Sequence, residues 1–151
     1  MNSDEEREYL QIRQSIADSF NQINALYSYW ARQEGINRNQ LIFFFCMENR
    51  ASCTPSELSA EWLISKQTLT GILRELSQQG FIDIQPNPED KRSKIISLTP
   101  LGKEKSESIM RPMREMEIRY LREMGLEESR QLMQSNLVQL QAMKSILFSH
   151  E

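Results

Sequence analysis

The chain has 151 residues, enough for one domain with appended helices. Charged residues are 26% and hydrophobic ones 39%, with five glycines and five prolines, which excludes a disordered or collagen-like chain. Its longest apolar run, Leu41 to Met47, is far shorter than the roughly 20 residues a membrane span needs, so no membrane partner is expected. Cys46 and Cys53 are the only cysteines, too few for a disulfide framework and suited to a reducing compartment. With the acidic, polar opening MNSDEEREYL, this leads to an expected cytoplasmic, nucleoid-associated location. The single histidine, His150, argues against histidine catalysis and against zinc sensing, so neither an enzyme nor a cofactor is expected.

Net charge is −3, but it is uneven. Residues 1–61 hold five bases against nine acids, whereas residues 62–105 hold seven bases against five acids. The middle third is the only net-positive one.

In chain order, the first expected helix covers about residues 5–33, where Ile16, Phe20, Ile23, Tyr27 and Trp30 recur at spacings of four and three. Gly35 ends it. A second helix is expected over about 39–49; its LIFFFCM segment is apolar nearly all round and therefore buried. Thr54-Pro55-Ser56-Glu57 then forms a capping box with proline at the first helical position. That helix is short, with Leu58 and Trp62 on its inner face, and Leu63-Ile64 make a tight junction. Ser65 caps the next helix, which runs to about Gln79 and stops at Gly80. Two capped helices so closely joined are a helix-turn-helix pattern.

After Gly80 the apolar period falls to about two. Ile82 and Ile84 alternate with polar residues, as do Ile96 and Leu98, and Pro86 to Ser93 between them are turn formers and charges. A two-stranded antiparallel hairpin is expected. Thr99-Pro100 opens another long helix, with Ile109, Met113, Met116 and Tyr120 on its stripe and Pro112 inside it, where a bend is expected. Gly125 breaks the chain. A last helix, about 127–148, carries Met133, Leu137, Leu140 and Leu147 on one face.

The fold class that follows is mainly α (α+β): a winged helix-turn-helix with flanking helices. On the second helix of the pair, Leu69, Ile72, Leu73 and Leu76 define the buried face. Gln67, Thr70, Gly71, Arg74 and Gln78 fall opposite. Such side chains can hydrogen-bond base edges in a major groove, and Ser65 and Lys66 at the positive helix start suit phosphate. Lys91, Arg92 and Lys94 cluster at the hairpin tip, where Arg92 can enter a narrow minor groove and Asp90 can brace it. The partner expected is double-stranded DNA. The alternative is a winged-helix module that binds protein without touching DNA.

Ser65-Lys66-Gln67-Thr68-Leu69-Thr70 with Leu76 and Gly80-Phe81-Ile82, followed by Asp90-Lys91-Arg92 and Leu98-Thr99-Pro100-Leu101-Gly102, resembles the MarR family of transcription regulators. The resemblance implies a triangular homodimer whose terminal helices pair and whose two winged helices read a pseudo-palindromic operator. It assigns base-reading contacts to Gln67, Thr68, Thr70 and Arg74, and minor-groove insertion to Arg92. Many members carry arginine where this chain has Ile84, so a less basic wing base is expected here. The implied division is a helical dimerisation region, 1–36 with 106–151, and a DNA-binding domain, 37–105. Repression is the family habit, modulated by small aromatic or lipophilic effectors or by oxidants. The residues that suit an effector are the aromatics Tyr27, Tyr29, Trp30, Phe43 and Phe44 with Met110, Met113 and Met116, though core packing explains most of them. Cys53, just ahead of a helix start, is the redox candidate through a lowered thiol pKa; Cys46 is expected to be a buried hydrophobe.

Overall fold

The computed structural model describes residues 3–62, 64–90 and 92–148. Six helices and three strands follow in the order α1 (Ser3–Gln33), α2 (Arg38–Met47), β1 (Ser52–Cys53), α3 (Pro55–Trp62), α4 (Lys66–Gln78), β2 (Ile82–Pro86), β3 (Lys94–Leu98), α5 (Pro100–Met124) and α6 (Leu126–Leu147). Two compact units result, Met1–Met110 and Arg111–Glu151.

In the first unit, α1 begins with Asp4, Glu5 and Glu6 and ends with Arg32, signs that complement its dipole. Gly35, at φ +71°, supplies the left-handed stop. α2 starts one residue earlier than expected and ends two earlier. Asn37 is its cap: the side chain accepts from the Gln40 N–H at 2.9 Å, and Gln40 Oε1 accepts from the Asn37 N–H at 3.0 Å. Leu41, Phe43, Phe44, Cys46 and Met47 of α2 are buried, and Ala31 of α1 is fully so. Phe44 meets Phe43 and Phe81 edge-on, at centroid distances of 5.9 and 6.0 Å. Phe43 and Phe44, expected either to pack or to line an effector pocket, are core residues.

The capping box of α3 forms as its sequence dictates. Glu57 Oε2 accepts from the Thr54 N–H at 2.6 Å, and Thr54 Oγ1 accepts from the Glu57 N–H at 3.2 Å. α4 buries Leu69, Ile72, Leu73 and Leu76, and Gly80 ends the turn at φ +74°.

The hairpin is not two-stranded. β1 adds to it, in the order β1-β3-β2, all antiparallel, with Cys53 opposite Ile96 and Ser52 opposite Ser97. A two-residue strand has no alternation to read; it exists because β3 offers an edge beside it. β2 pairs with β3 from Ile82–Leu98 through Ile84–Ile96 to Pro86–Lys94. Ile82 and Ile96 are buried and close the core against the helices.

Thr99 joins the sheet to α5. Its Oγ1 accepts from the Gly102 N–H at 3.0 Å and donates to the Gly80 carbonyl at 2.6 Å, while its N–H donates to the Phe81 carbonyl at 3.0 Å. That close approach requires glycine at 102, where a Cβ would overlap the Phe81 carbonyl. α5 continues through Pro112 as one helix, and the division between the compact units falls just before that proline.

In the second unit, Gly125 adopts φ +96° between the helices, and Ser129 Oγ donates to the carbonyls of Leu121 and Gly125 at 3.0 and 2.7 Å. α6 has no buried residue.

Candidate nucleic-acid interface

α4 presents its outer face without an acid in its first turn. Ser65 accepts the Thr68 N–H at 3.1 Å and shares a hydrogen bond with the Thr68 hydroxyl at 2.8 Å, so two hydroxyls sit at the positive end of the helix. Lys66, Gln67, Thr68, Thr70 and Arg74 are all exposed. Thr70 donates its hydroxyl to the Lys66 carbonyl at 2.7 Å, which leaves its methyl and its oxygen lone pairs for an outside partner. Gly71 is partly covered, and Gln78 is exposed.

The wing tip is built by short polar side chains folded onto backbone. Asn87 bonds Ser93 twice, through its N–H to the carbonyl at 3.1 Å and through its side chain to Oγ at 2.9 Å. Asn87 Oδ1 accepts the Glu89 N–H at 2.9 Å. Asp90 accepts the Arg92 backbone N–H at 3.0 Å. Asp90 therefore braces the backbone of Arg92 rather than its guanidinium, because an Asx turn satisfies the carboxylate locally. Arg92 and Lys94 are exposed; Lys91 lies outside the described residues.

α4 and the wing share one groove. Its cavity, about 600 Å³, is walled by α3 at Ser56 and Ser59, by α4 at Lys66, Thr70 and Arg74, and by the wing at Arg92 and Lys94. Leu69, Leu73 and Ile84 line it as well. Among the described residues, four cations line this groove and no carboxylate does, an arrangement that draws a polyanion. The structure thus brings Lys66, Thr70, Arg74, Arg92 and Lys94 together. Ser65, Gln67 and Thr68 stand exposed on α4 outside the groove walls. Sequence reasoning missed Ser56 and Ser59. Their three-residue spacing, which sets both hydroxyls on one face of the short helix while Leu58 turns into the core, was the available signal.

Cys53 does not have the expected activated thiol. It is 4% exposed, its Sγ lies 3.4 Å from Met47 Sδ, and burial pushes its pKa up to about 11. Desolvation of the thiolate outweighs the Arg50 charge nearby, and Glu57 and Glu61 push the same way as burial. Cys46 is likewise pushed up by burial, to about 12, with Glu61 adding to the effect. Among the described residues, no group of three or more His, Cys, Asp or Glu is arranged to hold a metal ion, and no helix is long and apolar enough to cross a membrane.

A family model described as MarR family matches residues 34–93, the stretch from the end of α1 through the wing. The HTH-type transcriptional repressor YetL of Bacillus subtilis (strain 168) is 28% identical over 105 residues, 67% of this chain; the match spans 62% of that relative's length. Among solved structures, NMB1585, a MarR family regulator from Neisseria meningitidis, superposes with a TM-score of 0.76 at 21% identity, covering 91% of this chain and 97% of that one. Reduced AbfR bound to DNA superposes at 0.73 and 21% identity, covering 95% and 99%. Both likenesses establish the winged-helix fold with its flanking helices.

Proposed function

We propose that this chain, which matches a MarR family model over residues 34–93, is a winged-helix transcription regulator that binds double-stranded DNA sequence-specifically, as a homodimer, and represses. α4 enters the major groove. Ser65 and Lys66 hold phosphate, while Gln67, Thr68, Thr70 and Arg74 reach base edges. The wing, with Lys91, Arg92 and Lys94, straddles the adjacent backbone and sends Arg92 toward the minor groove. The observation that carries this reading is the groove itself, where Lys66 and Arg74 of α4 and Arg92 and Lys94 of the wing line one cavity with no carboxylate among its described lining residues.

Residues 37–105 are read as the DNA-binding part, and 1–36 with 106–151 as the helices that pair two copies. Support for pairing is the run of exposed apolar side chains on α1, from Leu10 through Phe20 to Leu26, and on α6, from Leu132 through Leu140 to Leu147. A two-fold pair sets two α4 helices about 34 Å apart, one turn of B-DNA, and so selects a pseudo-palindrome. Repression is inferred from the relative YetL, a transcriptional repressor, and is the simplest consequence of occupying a promoter. The site of action is the nucleoid, in the cytoplasm.

The test is equilibrium binding to a duplex selected by the chain from a randomised pool, across a salt series. Affinity falls steeply with salt, as release of counterions from phosphate requires. Arg92→Ala weakens binding by about tenfold on A·T-rich flanks, and Gln67→Ala relaxes base preference with a smaller loss of affinity. Selection of no sequence, with retained binding to a protein partner, would instead favour the interaction-module reading.

A further inference from the structure

One carboxylate on the DNA-reading helix is conspicuous. Glu75 follows Arg74 directly, yet it is partly covered and held by α2. Gln40 Nε2 donates to Glu75 Oε1 at 3.1 Å, and Asn37 Nδ2 donates to the same oxygen at 3.3 Å. Gln40 Nε2 also donates to Gln79 Oε1 at 2.9 Å, one turn further along α4. Gln40 is 5% exposed, one of only two buried polar residues among those described. Its amide is fully used: both protons grip α4, and Oε1 accepts the Asn37 N–H. The same helix start reaches α1, since Arg38 Nη2 donates to Asn24 Oδ1 at 2.8 Å.

At about 100° per residue, Glu75 and Gln79 lie on the flank of α4 opposite Thr70 and Ser77, which line the groove. Apolar packing of Leu69, Ile72, Leu73 and Leu76 sets how far α4 stands from the core, but such contacts are non-directional. Hydrogen bonds to Glu75 and Gln79 are directional and fix the rotation of the helix about its own axis. They also hold the carboxylate away from the face where phosphates approach.

We propose that Glu75, gripped by Asn37 and Gln40, is a positioning residue for sequence readout: it sets the rotation of α4 and keeps its own charge off the DNA face. It touches no DNA. Through Arg38 and Asn24, the start of α2 also carries a load from α1 to α4. The proposal rests on the DNA-binding reading above.

Removing the grip blurs the fit to the right sequence without weakening attraction to phosphate in general. The experiment uses the full chain, the duplex it selects from a randomised pool, and a scrambled duplex of equal length, with affinities read by fluorescence anisotropy. Glu75→Ala lowers affinity for the selected duplex about tenfold and leaves affinity for the scrambled one unchanged or slightly higher. Glu75→Gln, which keeps an acceptor for the two amides, retains most of the discrimination. Asn37→Ser keeps a helix cap at an exposed position but withdraws one donor, and lowers the ratio about threefold. It decides the question if Glu75→Ala fails to fold. A merely structural role would lower both affinities together, in proportion to the folded fraction. Wild-type discrimination kept in both Glu75→Ala and Asn37→Ser overturns the proposal and leaves the DNA-binding reading intact, as does a Glu75→Gln loss equal to that of alanine. A wild-type chain that selects no sequence overturns both.

Discussion

α4 and α6 are both amphipathic helices, and they end differently. α4 buries Leu69, Ile72, Leu73 and Leu76 against its own chain, while every described leucine and methionine of α6 is exposed, Leu137 at 54% and Leu140 at 50%. An apolar stripe in a sequence therefore says that a surface will be covered, not by what. The helix with the short, capped ends and a sheet behind it is completed from within. The long helix beyond Gly125 buries none of its own residues, and in the reading above a second copy covers it.

The sharpest way to break this comparison is to charge the unfinished stripe. On the pairing proposed above, Leu137→Glu combined with Leu140→Glu converts the dimer to a monomer by light scattering. It lowers affinity for the selected duplex by more than about 100-fold, because two half-sites no longer act together. A dimer that survives with full affinity removes α6 from the interface. Next, Leu76→Ala, at a fully buried position of α4, costs about 2–5 kcal/mol in urea denaturation followed by circular dichroism. If α4 is completed within its own chain, that loss is nearly the same in the Leu137→Glu/Leu140→Glu background.

A smaller effect concerns the start of α3. Thr54→Ala removes the cap and costs about 1 kcal/mol. The hydrogen bonds from Thr54 hold Glu57 below its ordinary 4.5. A lowered carboxylate pKa contributes stability above the unfolded value and loses it as pH falls through the folded one. Acid melting of wild type thus shows a loss below 4.5 that Thr54→Ala reduces but does not abolish, because the backbone N–H at position 54 still donates to Glu57. Smallest at neutral pH is the thiol effect. Cys46 and Cys53 stay protonated and label with iodoacetamide only as slowly as the chain opens. Their pKa values are raised, so the stability they contribute is intact below the unfolded 9.0 and is lost as pH climbs through about 11 and 12. Rapid labelling of folded protein at neutral pH would restore Cys53 as an oxidant sensor.

What could be read ahead of the structure was local. The spacing of Leu69 to Leu76, the Thr54–Glu57 box and the stop at Gly80 are each written within a few residues, and each formed where expected. The cations of the wing were legible as a cluster, and Lys66 and Arg74 as a helix face. Contacts between distant segments were not legible. β1 exists through pairing with residues more than 40 positions away, the Gln40 grip spans 35 and 39 residues, and the Thr99 hydroxyl reaches back 19. Cys53 went the other way from its expected direction for the same reason: a nearby helix start is visible in sequence, but the burial that outweighs it is made by the whole core. The glycine at 102 was visible as a motif letter, and its cause, the Phe81 carbonyl, only in three dimensions.

The sheet order has a consequence for how copies of the chain stick together. β3 is flanked on both sides, which leaves β2 as the long open margin, and that margin carries Asp83 and finishes on Pro86, which has no amide proton to offer. A newly made chain can display greasy helices to its neighbours while denying them a strand to extend. In the pairing proposed above, association then runs through side chains that must interlock at one angle, and stops at a closed pair instead of growing into a fibre.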